Sequence, residues 1–496
     1  MMTAKKGYLE HFFDTVPEEK RSKAAIAYLA ALDYVGEENP EVVAAVVKEL
    51  RDQRKYLKLI ASENYSSLAV QLAMANLLTD KYAEGFPGRR FYAGCDNIDT
   101  VESLAAQELQ SLYHCEHAYV QPHSGADANL VAFWAFLTTR FENKEIEKLG
   151  KKSVDELTEE EHEQIRQILV SQKVMGMGLG SGGHLTHGYR RNVSSKIMRS
   201  VAYEVDPKSG LLNYDLLAEQ VKKERPALLM AGYSAYPRLI NFAKMREIAD
   251  SVGAVLMSDM AHFSGLVAGK VLQGDFDPVP HSHFVTSTTH KTLRGPRGGI
   301  VMCEGEFKDA VNRGCPMILG GPLPHVIAAK AVAFREASTS DFQQYAHKIV
   351  DNARALAATL LSKGIDVLTS GTDNHLIVFS VTDRFGITGR QAELALREAG
   401  MTVNRNAIPF DPNGAWFTSG VRIGTPALTT RGMGEVEMKE IGLCIYDLLA
   451  ATKPKMTEKG KSRSEVEIDP QVLNRVRLQV GELLDHHPLY PELDID

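Results

Sequence analysis

The stretch Val285-Thr-Ser-Thr-Thr-His-Lys-Thr-Leu-Arg-Gly-Pro-Arg-Gly-Gly299 decides how this chain is read. An apolar start runs through four hydroxyl residues, Thr286 to Thr289, into His290 and Lys291. A Gly/Pro/Arg turn follows at once, then the apolar run Ile300-Val-Met302. A lysine set between a strand end and a glycine-rich turn is positioned rather than merely solvated. Lysine is the side chain that forms a Schiff base with pyridoxal phosphate, and neighbouring hydroxyls are candidates to hold that cofactor's phosphate. Taken alone, the motif also describes a surface lysine in a basic turn.

Upstream lies a second piece. Ala254-Val-Leu-Met257 is a short buried-strand run, followed by Ser258-Asp259-Met260-Ala261-His262. An Asp at the C-terminal end of a parallel strand lies on the ligand-binding edge of an α/β sheet. A carboxylate there would keep a pyridine nitrogen protonated, so that the ring acts as an electron sink. The competing role for Asp259 is a helix N-cap. Strand, Asp, His, next strand and Lys in that order form a far more specific arrangement than either half.

With these come Leu59-Ile-Ala-Ser-Glu-Asn-Tyr65, Lys81-Tyr-Ala-Glu-Gly-Phe-Pro-Gly-Arg-Arg-Phe-Tyr92, Gln121-Pro-His-Ser-Gly-Ala-Asp-Ala-Asn129, Gly182-Gly-His-Leu-Thr-His-Gly188 and Gly420-Val-Arg-Ile-Gly-Thr-Pro426. In these ordered motifs, over most of its length, the chain resembles the serine hydroxymethyltransferases, fold-type I pyridoxal phosphate enzymes. The resemblance implies an α/β fold, with a large, mostly parallel sheet domain and a smaller C-terminal α/β domain. It implies reversible conversion of L-serine and tetrahydrofolate to glycine and 5,10-methylenetetrahydrofolate.

Site residues follow from the resemblance, motif by motif. Lys291 would carry pyridoxal 5'-phosphate, with His290 beside it. Asp259 would meet the pyridine nitrogen, His184 would stack on the ring, and His262 and Ser234 would lie near the ring oxygen. Ser124, Gly125 and Ala126 would cradle the phosphate, because N–H groups at a strand-to-helix turn bind anions. Gly320 and Gly321 of a neighbouring subunit would complete that cradle. Here Leu319 precedes them where the family has Gln. Arg422 would bind the substrate carboxylate through two parallel hydrogen bonds, with Ser62 and Tyr92 close by. Glu84, next to Tyr82, would act as acid/base at the hydroxymethyl group, its proton kept by burial. Leu179, Gly183, His184, Leu185 and Asn406 would contact the folate. Phe91 stands where Tyr is usual, and Gly414-Ala-Trp416 replaces a Ser-Pro-Phe-like stretch. Slow alanine racemisation and cleavage of 3-hydroxyamino acids are side reactions that the same chemistry implies. Rival readings are a folate-independent 3-hydroxyamino-acid aldolase and a catalytically silent cofactor- or RNA-binding relative.

Composition agrees. The chain has 496 residues, 44% of them hydrophobic, enough for a large core. A net charge of -7 favours neither nucleic acid nor a membrane surface. Five cysteines without a Cys-x-x-Cys pair suit reduced thiols and a cytoplasmic enzyme. The N-terminal stretch Met1 to Glu10 has charge and no long apolar core, so neither a signal peptide nor a membrane span is expected. The resemblance further implies a homodimer with shared sites, or a dimer of dimers.

Three regions are expected. Residues 1–64 form a helical arm, with Glu18-Glu-Lys-Arg21 opening one helix and Pro40 another. The arm is longer than bacterial members of the family lead one to expect. Residues 65–334 form the large domain, with strands at Tyr119-Val-Gln121, Ala227 to Ala231 and Ile300 to Met302. Residues 335–496 form the smaller one, with strands near Leu376 to Val381 and Gly420 to Ile423, a basic linker over Lys453 to Arg463 and a terminal amphipathic helix. Residues 140–171 read as an inserted, charged helical hairpin, with capping boxes at Ser153/Glu156 and Thr158/Glu161.

Three motifs are set aside. Gly178 to Gly183 matches a dinucleotide fingerprint but opens no helix. Gly265-Leu-Val-Ala-Gly-Lys270 is one residue short of a phosphate loop. His281 and His283 have no third ligand at metal spacing, and no metal is expected.

Overall fold

Seven short apolar runs become the strands of one sheet in the computed structural model, which describes residues 7–458 and 460–495. They are β1 (His117–Tyr119), β2 (Lys173–Met177), β3 (Arg199–Tyr203), β4 (Leu228–Gly232), β5 (Val255–Asp259), β6 (Phe284–Thr288) and β7 (Gly299–Cys303). Their order is β1-β7-β6-β5-β4-β2-β3. From β6 through β3 all neighbours are parallel, and β7 runs antiparallel to both β6 and β1. Every residue of β4 to β7 is buried, which is why apolar residues do not alternate with exposed polar ones; the polar residues of β5 and β6, Ser258, Asp259 and Thr286 to Thr288, are buried too.

The period of two divides each strand between two cores. Leu229, Leu256, Val285 and Met302 join one cluster, and Leu228, Val255, Phe284 and Val301 join the other. Gly232, Asp259 and Thr286 are in register across β4, β5 and β6, and so share the C-terminal edge of the parallel strands.

A second, antiparallel sheet has the order β8-β10-β9, from β8 (Leu376–Ser380), β9 (Asn404–Asn406) and β10 (Gly420–Gly424). Arg422 is opposite Val378 on one side and Asn404 on the other. The N-terminal segment is tied to this part of the chain, for Leu57 and Lys58 pair in parallel with Met401 and Thr402.

Local departures from the sequence reading have plain causes. Glu18 to Arg21 opens no long helix. It makes one 3-10 turn, and the helix begins at Lys23, where the Ser22 hydroxyl accepts the Ala25 N–H at 3.0 Å. Pro40 occupies the first turn of its helix as expected. In the inserted region the helices are Asn143–Lys148 and Glu159–Ser171, and Thr158 with Glu161 forms a capping box. Ser153 forms none. Glu156 instead accepts the Lys152 N–H at 3.0 Å. The basic stretch is no linker. Thr452–Thr457 and Gly460–Ile468 form a β-hairpin against helix Gly389–Glu398. The Gln391 amide donates to the carbonyls of Ser462 and Glu465, both at 2.9 Å. Lysine content hid a strand whose half-buried and exposed residues alternate. Among the described residues, no helix is long and apolar enough to cross a membrane.

Candidate active site

Asp259 ends β5 and accepts three hydrogen bonds, which leaves Oδ1 with one acceptor site open. Its Oδ2 accepts from Asn129 Nδ2 at 2.9 Å and from His187 Nε2 at 3.0 Å, and its Oδ1 accepts the Ala261 N–H at 3.0 Å. The last bond closes a local turn rather than capping a helix, because the next helix begins at Ser264 behind Phe263. Burial alone would raise its pKa. The His187 hydrogen bond and charge, with His184 and Asn129, outweigh that and hold Asp259 well below the usual carboxylate range.

The network extends outward. Asn129 takes the Thr286 hydroxyl proton on its Oδ1 at 2.6 Å and gives its second N–H to Thr186 Oγ1 at 2.7 Å. Thr186 Oγ1 then donates to His184 Nδ1 at 2.8 Å, and the Thr186 N–H approaches the same nitrogen at 3.3 Å. With Nδ1 an acceptor, His184 carries its proton on Nε2. Burial lowers its pKa to about 4, so the ring is neutral. Ligand atoms of His184, His187 and Asp259 lie within 4.8 Å of one another, but these hydrogen bonds already occupy their inward lone pairs.

Lys291 follows β6. Burial pushes its pKa down to about 8, assisted by Arg422 and Arg297 and opposed by Asp259. Its backbone is fixed from the amino-terminal motif, since Asn64 Nδ2 donates to the Lys291 carbonyl at 2.9 Å and to the Tyr345 hydroxyl at 2.7 Å. His290 is lowered to about 3 by burial and the nearby cations, and its Nδ1 is buried without a partner. The hydroxyls of 286–289 do not serve as a phosphate cradle. All are buried, and they donate to Asn129 Oδ1 and to the carbonyls of Thr288, Ala261 and Pro296. A β-strand turns them into its own neighbours.

Arg422 faces the same region. Its guanidinium donates to Asn404 Oδ1 at 3.1 Å and to the Ser234 carbonyl at 2.5 Å. It has no carboxylate partner among the described residues, and burial lowers its pKa to about 10. Ser234 thus touches Arg422 through its backbone. His262 is fully buried, its Nδ1 3.2 Å from His375 Nε2 with the rings stacked. Burial holds both imidazoles neutral. Ser62 lies half-buried in a loop held to β10, where the Gly424 N–H donates to the Leu59 carbonyl at 2.8 Å.

Ser124 caps helix Gly125–Leu137, accepting the Asp127 N–H at 3.2 Å. The N–H groups of Gly125 and Ala126 find no acceptor among the described residues, so the first turn presents two free donors. Gly299 lets β7 pass close behind, because a Cβ there would lie 2.1 Å from the Ser124 carbonyl oxygen.

Tyr82, Glu84, Tyr92, Gly320 and Gly321 form a separate group. The Tyr82 hydroxyl is 3.3 Å from Glu84 Oε1, and the Tyr82 and Tyr92 rings meet edge to face at 5.1 Å. Gly321 lies beside Tyr82, and its carbonyl is 3.1 Å from His123 Nε2. Glu84 is half-buried rather than buried, and Tyr82, Phe91 and Tyr92 are exposed. No hydrogen bond or ring contact joins this group to Lys291. Arg90 fixes the loop from within, donating to the Ala83 and Gly85 carbonyls at 2.8 and 2.9 Å while paired with Asp99 and Glu102. Leu179 and Leu185 are exposed, Gly183 is buried and Asn406 half-buried.

The set-aside motifs are structural. Cβ atoms at Gly183 and Gly265 would strike backbone oxygens at 1.9 and 2.2 Å, and His283 Nδ1 accepts the Leu256 N–H at 3.0 Å. Sequence reading missed Asn129, His187, His375, Asn64 and Asn404. Asn64, Asn129 and His187 lie inside the quoted motifs, the only signal for them.

A mostly parallel sheet with a carboxylate at one strand end and a lysine just after the next strand defines the fold-type I pyridoxal-dependent class. A family model described as serine hydroxymethyltransferase matches residues 35–146 and 163–445. The chain belongs to the serine hydroxymethyltransferase family, transferases that interconvert serine and glycine. It is 58% identical to the serine hydroxymethyltransferase of Treponema pallidum (strain Nichols), over 98% of this chain and 85% of that one. It is 54% identical to that of Mycolicibacterium smegmatis, over 95% of each. The enzyme of Chlamydia trachomatis serovar D is 48% identical over 99% of this chain and 98% of its own. That coverage corrects the expectation about the arm, which bacterial relatives share. The gap in the family match, residues 147–162, falls inside the charged segment expected at 140–171 and is narrower than it.

Proposed function

We propose that the chain transfers the hydroxymethyl carbon of L-serine to tetrahydrofolate, giving glycine and 5,10-methylenetetrahydrofolate, with pyridoxal 5'-phosphate as cofactor. The observation that carries this is that Asp259 at the end of β5 and Arg422 on β10, which has no carboxylate partner among the described residues, both act on Lys291. The chain's groups fit the cofactor one by one. Asp259 stays ionised opposite a pyridine nitrogen, and Lys291 offers an amine that is readily deprotonated. Neutral His184 offers a ring to stack on, His262 and Ser234 would lie near the ring oxygen, and the free N–H groups of Gly125 and Ala126 suit a phosphate. The bound cofactor supplies an electron sink for charge developing at the substrate Cα.

Arg422 holds the amino-acid carboxylate and so orients its Cα. Glu84 moves the proton at the substrate hydroxyl oxygen, and Leu179, Gly183, Leu185 and Asn406 receive the folate. Since Tyr82, Glu84, Tyr92 and Gly320–Gly321 lie together, with the two tyrosines exposed, we assign them to a site shared with a second copy of the chain. There they meet the partner copy's lysine pocket. Five free cysteines support a reducing, cytoplasmic setting.

The test is a visible spectrum of the purified protein, taken alone, with glycine, and with glycine plus tetrahydrofolate. The expected result is a band that glycine shifts and that folate shifts again. A response to glycine without any to folate would transfer the reading to a folate-independent aldolase. No visible band after incubation with the cofactor would refute it.

A further inference from the structure

Lys330 is a buried cation that the reading above leaves unused. It projects from helix Pro324–Ala337 and is 1% exposed. No carboxylate pairs with it among the described residues. Its Nζ instead meets three backbone carbonyls: Val120 at 2.6 Å, Pro122 at 2.9 Å and Gly299 at 2.9 Å. Burial works against its charge and lowers its pKa to about 7, with Glu102 and Asp127 opposing that shift. The geometry still selects the ammonium form. Three acceptors need three N–H donors, which the neutral amine does not have.

All three carbonyls belong to the frame of the anion cradle. Val120 and Pro122 lie on the segment that leads from β1 into Ser124, and Gly299 opens β7. Pro122 also accepts the Gly299 N–H at 2.9 Å, which stitches the two segments together. Room for the ammonium depends on residue 298, where a Cβ would lie 2.5 Å from Lys330 Cε. In a trans peptide the carbonyl and the following N–H point in opposite directions. Drawing the Val120 and Pro122 carbonyls inward therefore fixes which way the chain turns as it reaches the free amides of Gly125 and Ala126. The buried positive charge stands behind that turn, where low dielectric preserves its attraction for an anion.

We propose that Lys330 is the positioning residue of the phosphate cradle, setting the Ser124–Ala126 turn from inside and adding a positive field behind it. This rests on the pyridoxal phosphate reading. The experiment strips the full-length protein of cofactor with a carbonyl trap and titrates it with two aldehydes, pyridoxal 5'-phosphate and phosphate-free pyridoxal. Covalent uptake is followed by visible absorbance. Lys330→Met keeps the stem and removes all three donors. It is expected to weaken pyridoxal phosphate binding by about tenfold or more, the worth of a lost charge-assisted contact, while pyridoxal binding stays within about twofold. Lys330→Gln keeps two N–H groups and should fall between. Equal losses for both aldehydes, or an unchanged preference for the phosphorylated one, would overturn the proposal. If neither variant folds, Lys330 belongs to the fold rather than the cradle, which overturns it too. Wild-type protein that takes up neither aldehyde refutes the cofactor reading itself, and the proposal with it.

Discussion

Arg422→Lys is the sharpest probe of the amino-acid end of the site. The wild-type guanidinium spends one N–H on Asn404 and one on the Ser234 carbonyl, leaving the rest of its fork for a carboxylate. A lysine keeps a charge but loses the planar, two-pronged geometry. Loss of one charge-assisted hydrogen bond costs about 1.5–3 kcal/mol, so affinity for glycine and serine should drop by roughly tenfold to a hundredfold. A second effect comes from burial, which already lowers Arg422 to about 10. Lysine starts lower, and the same burial carries its titration toward neutral pH. Carboxylate binding needs the protonated cation, so in the variant it is retained at low pH and lost as pH rises through the folded pKa. Wild type should hold its affinity further into the alkaline range. The assay is a glycine titration of the visible band at several pH values, with bound cofactor measured separately. Unchanged glycine affinity, or a loss that ignores pH while cofactor also dissociates, would refute the carboxylate role.

Three further expectations follow from the same geometry. Lys291→Ala should abolish covalent cofactor attachment, and borohydride reduction with peptide mapping of wild type should label Lys291; a label on another lysine removes the assignment. Glu84→Gln keeps its shape without exchanging a proton, so glycine should still shift the spectrum while hydroxymethyl transfer falls by about a hundredfold or more; wild-type transfer would place the acid/base group elsewhere. L-Alanine is small enough for a site built around glycine and serine, so D-alanine should appear slowly by chiral chromatography; its absence above a Lys291→Ala control, in protein active with folate, rejects racemisation.

What was legible in the sequence is what periodicity and single special residues encode. The buried strands announce themselves as unbroken apolar runs, because both faces of the sheet are covered. Asp259 and Lys291 stand out as charged residues at the ends of such runs. Their supports do not. Asn129 lies in the middle of a helix and becomes meaningful only when that helix brings it within 2.9 Å of Asp259, 130 residues along the chain. His375 looks like any residue before a strand until it stacks on His262. The hydroxyl run beside Lys291 misled for a related reason. The type of side chain suggested a phosphate, but strand geometry buried every hydroxyl against protein acceptors. The hairpin after Thr452 escaped notice because its lysines read as solvation, whereas backbone pairing fixes it.

The resemblance implies a site shared between subunits, and a single chain does divide the expected site residues into two groups. Asp259 ends β5, Lys291 follows β6 and Arg422 lies on β10, and internal hydrogen bonds hold Asp259, His184 and Arg422. Tyr82, Glu84 and Tyr92 hang on a loop whose backbone is clamped by Arg90, with Gly321 beside Tyr82 and aromatic faces left open: Phe91 is 68% exposed and Tyr82 56%. A loop so firmly held from behind, with polar and aromatic groups presented outward, is built to meet something. Arg90 answers why the fold spends a half-buried ion-pair network there, since it sets the outward geometry before any contact is made. On the proposed reading, the acid/base group and the lysine that it serves belong to different copies. Dilution should separate hydroxymethyl transfer from cofactor attachment, because only transfer needs the loop of the second copy.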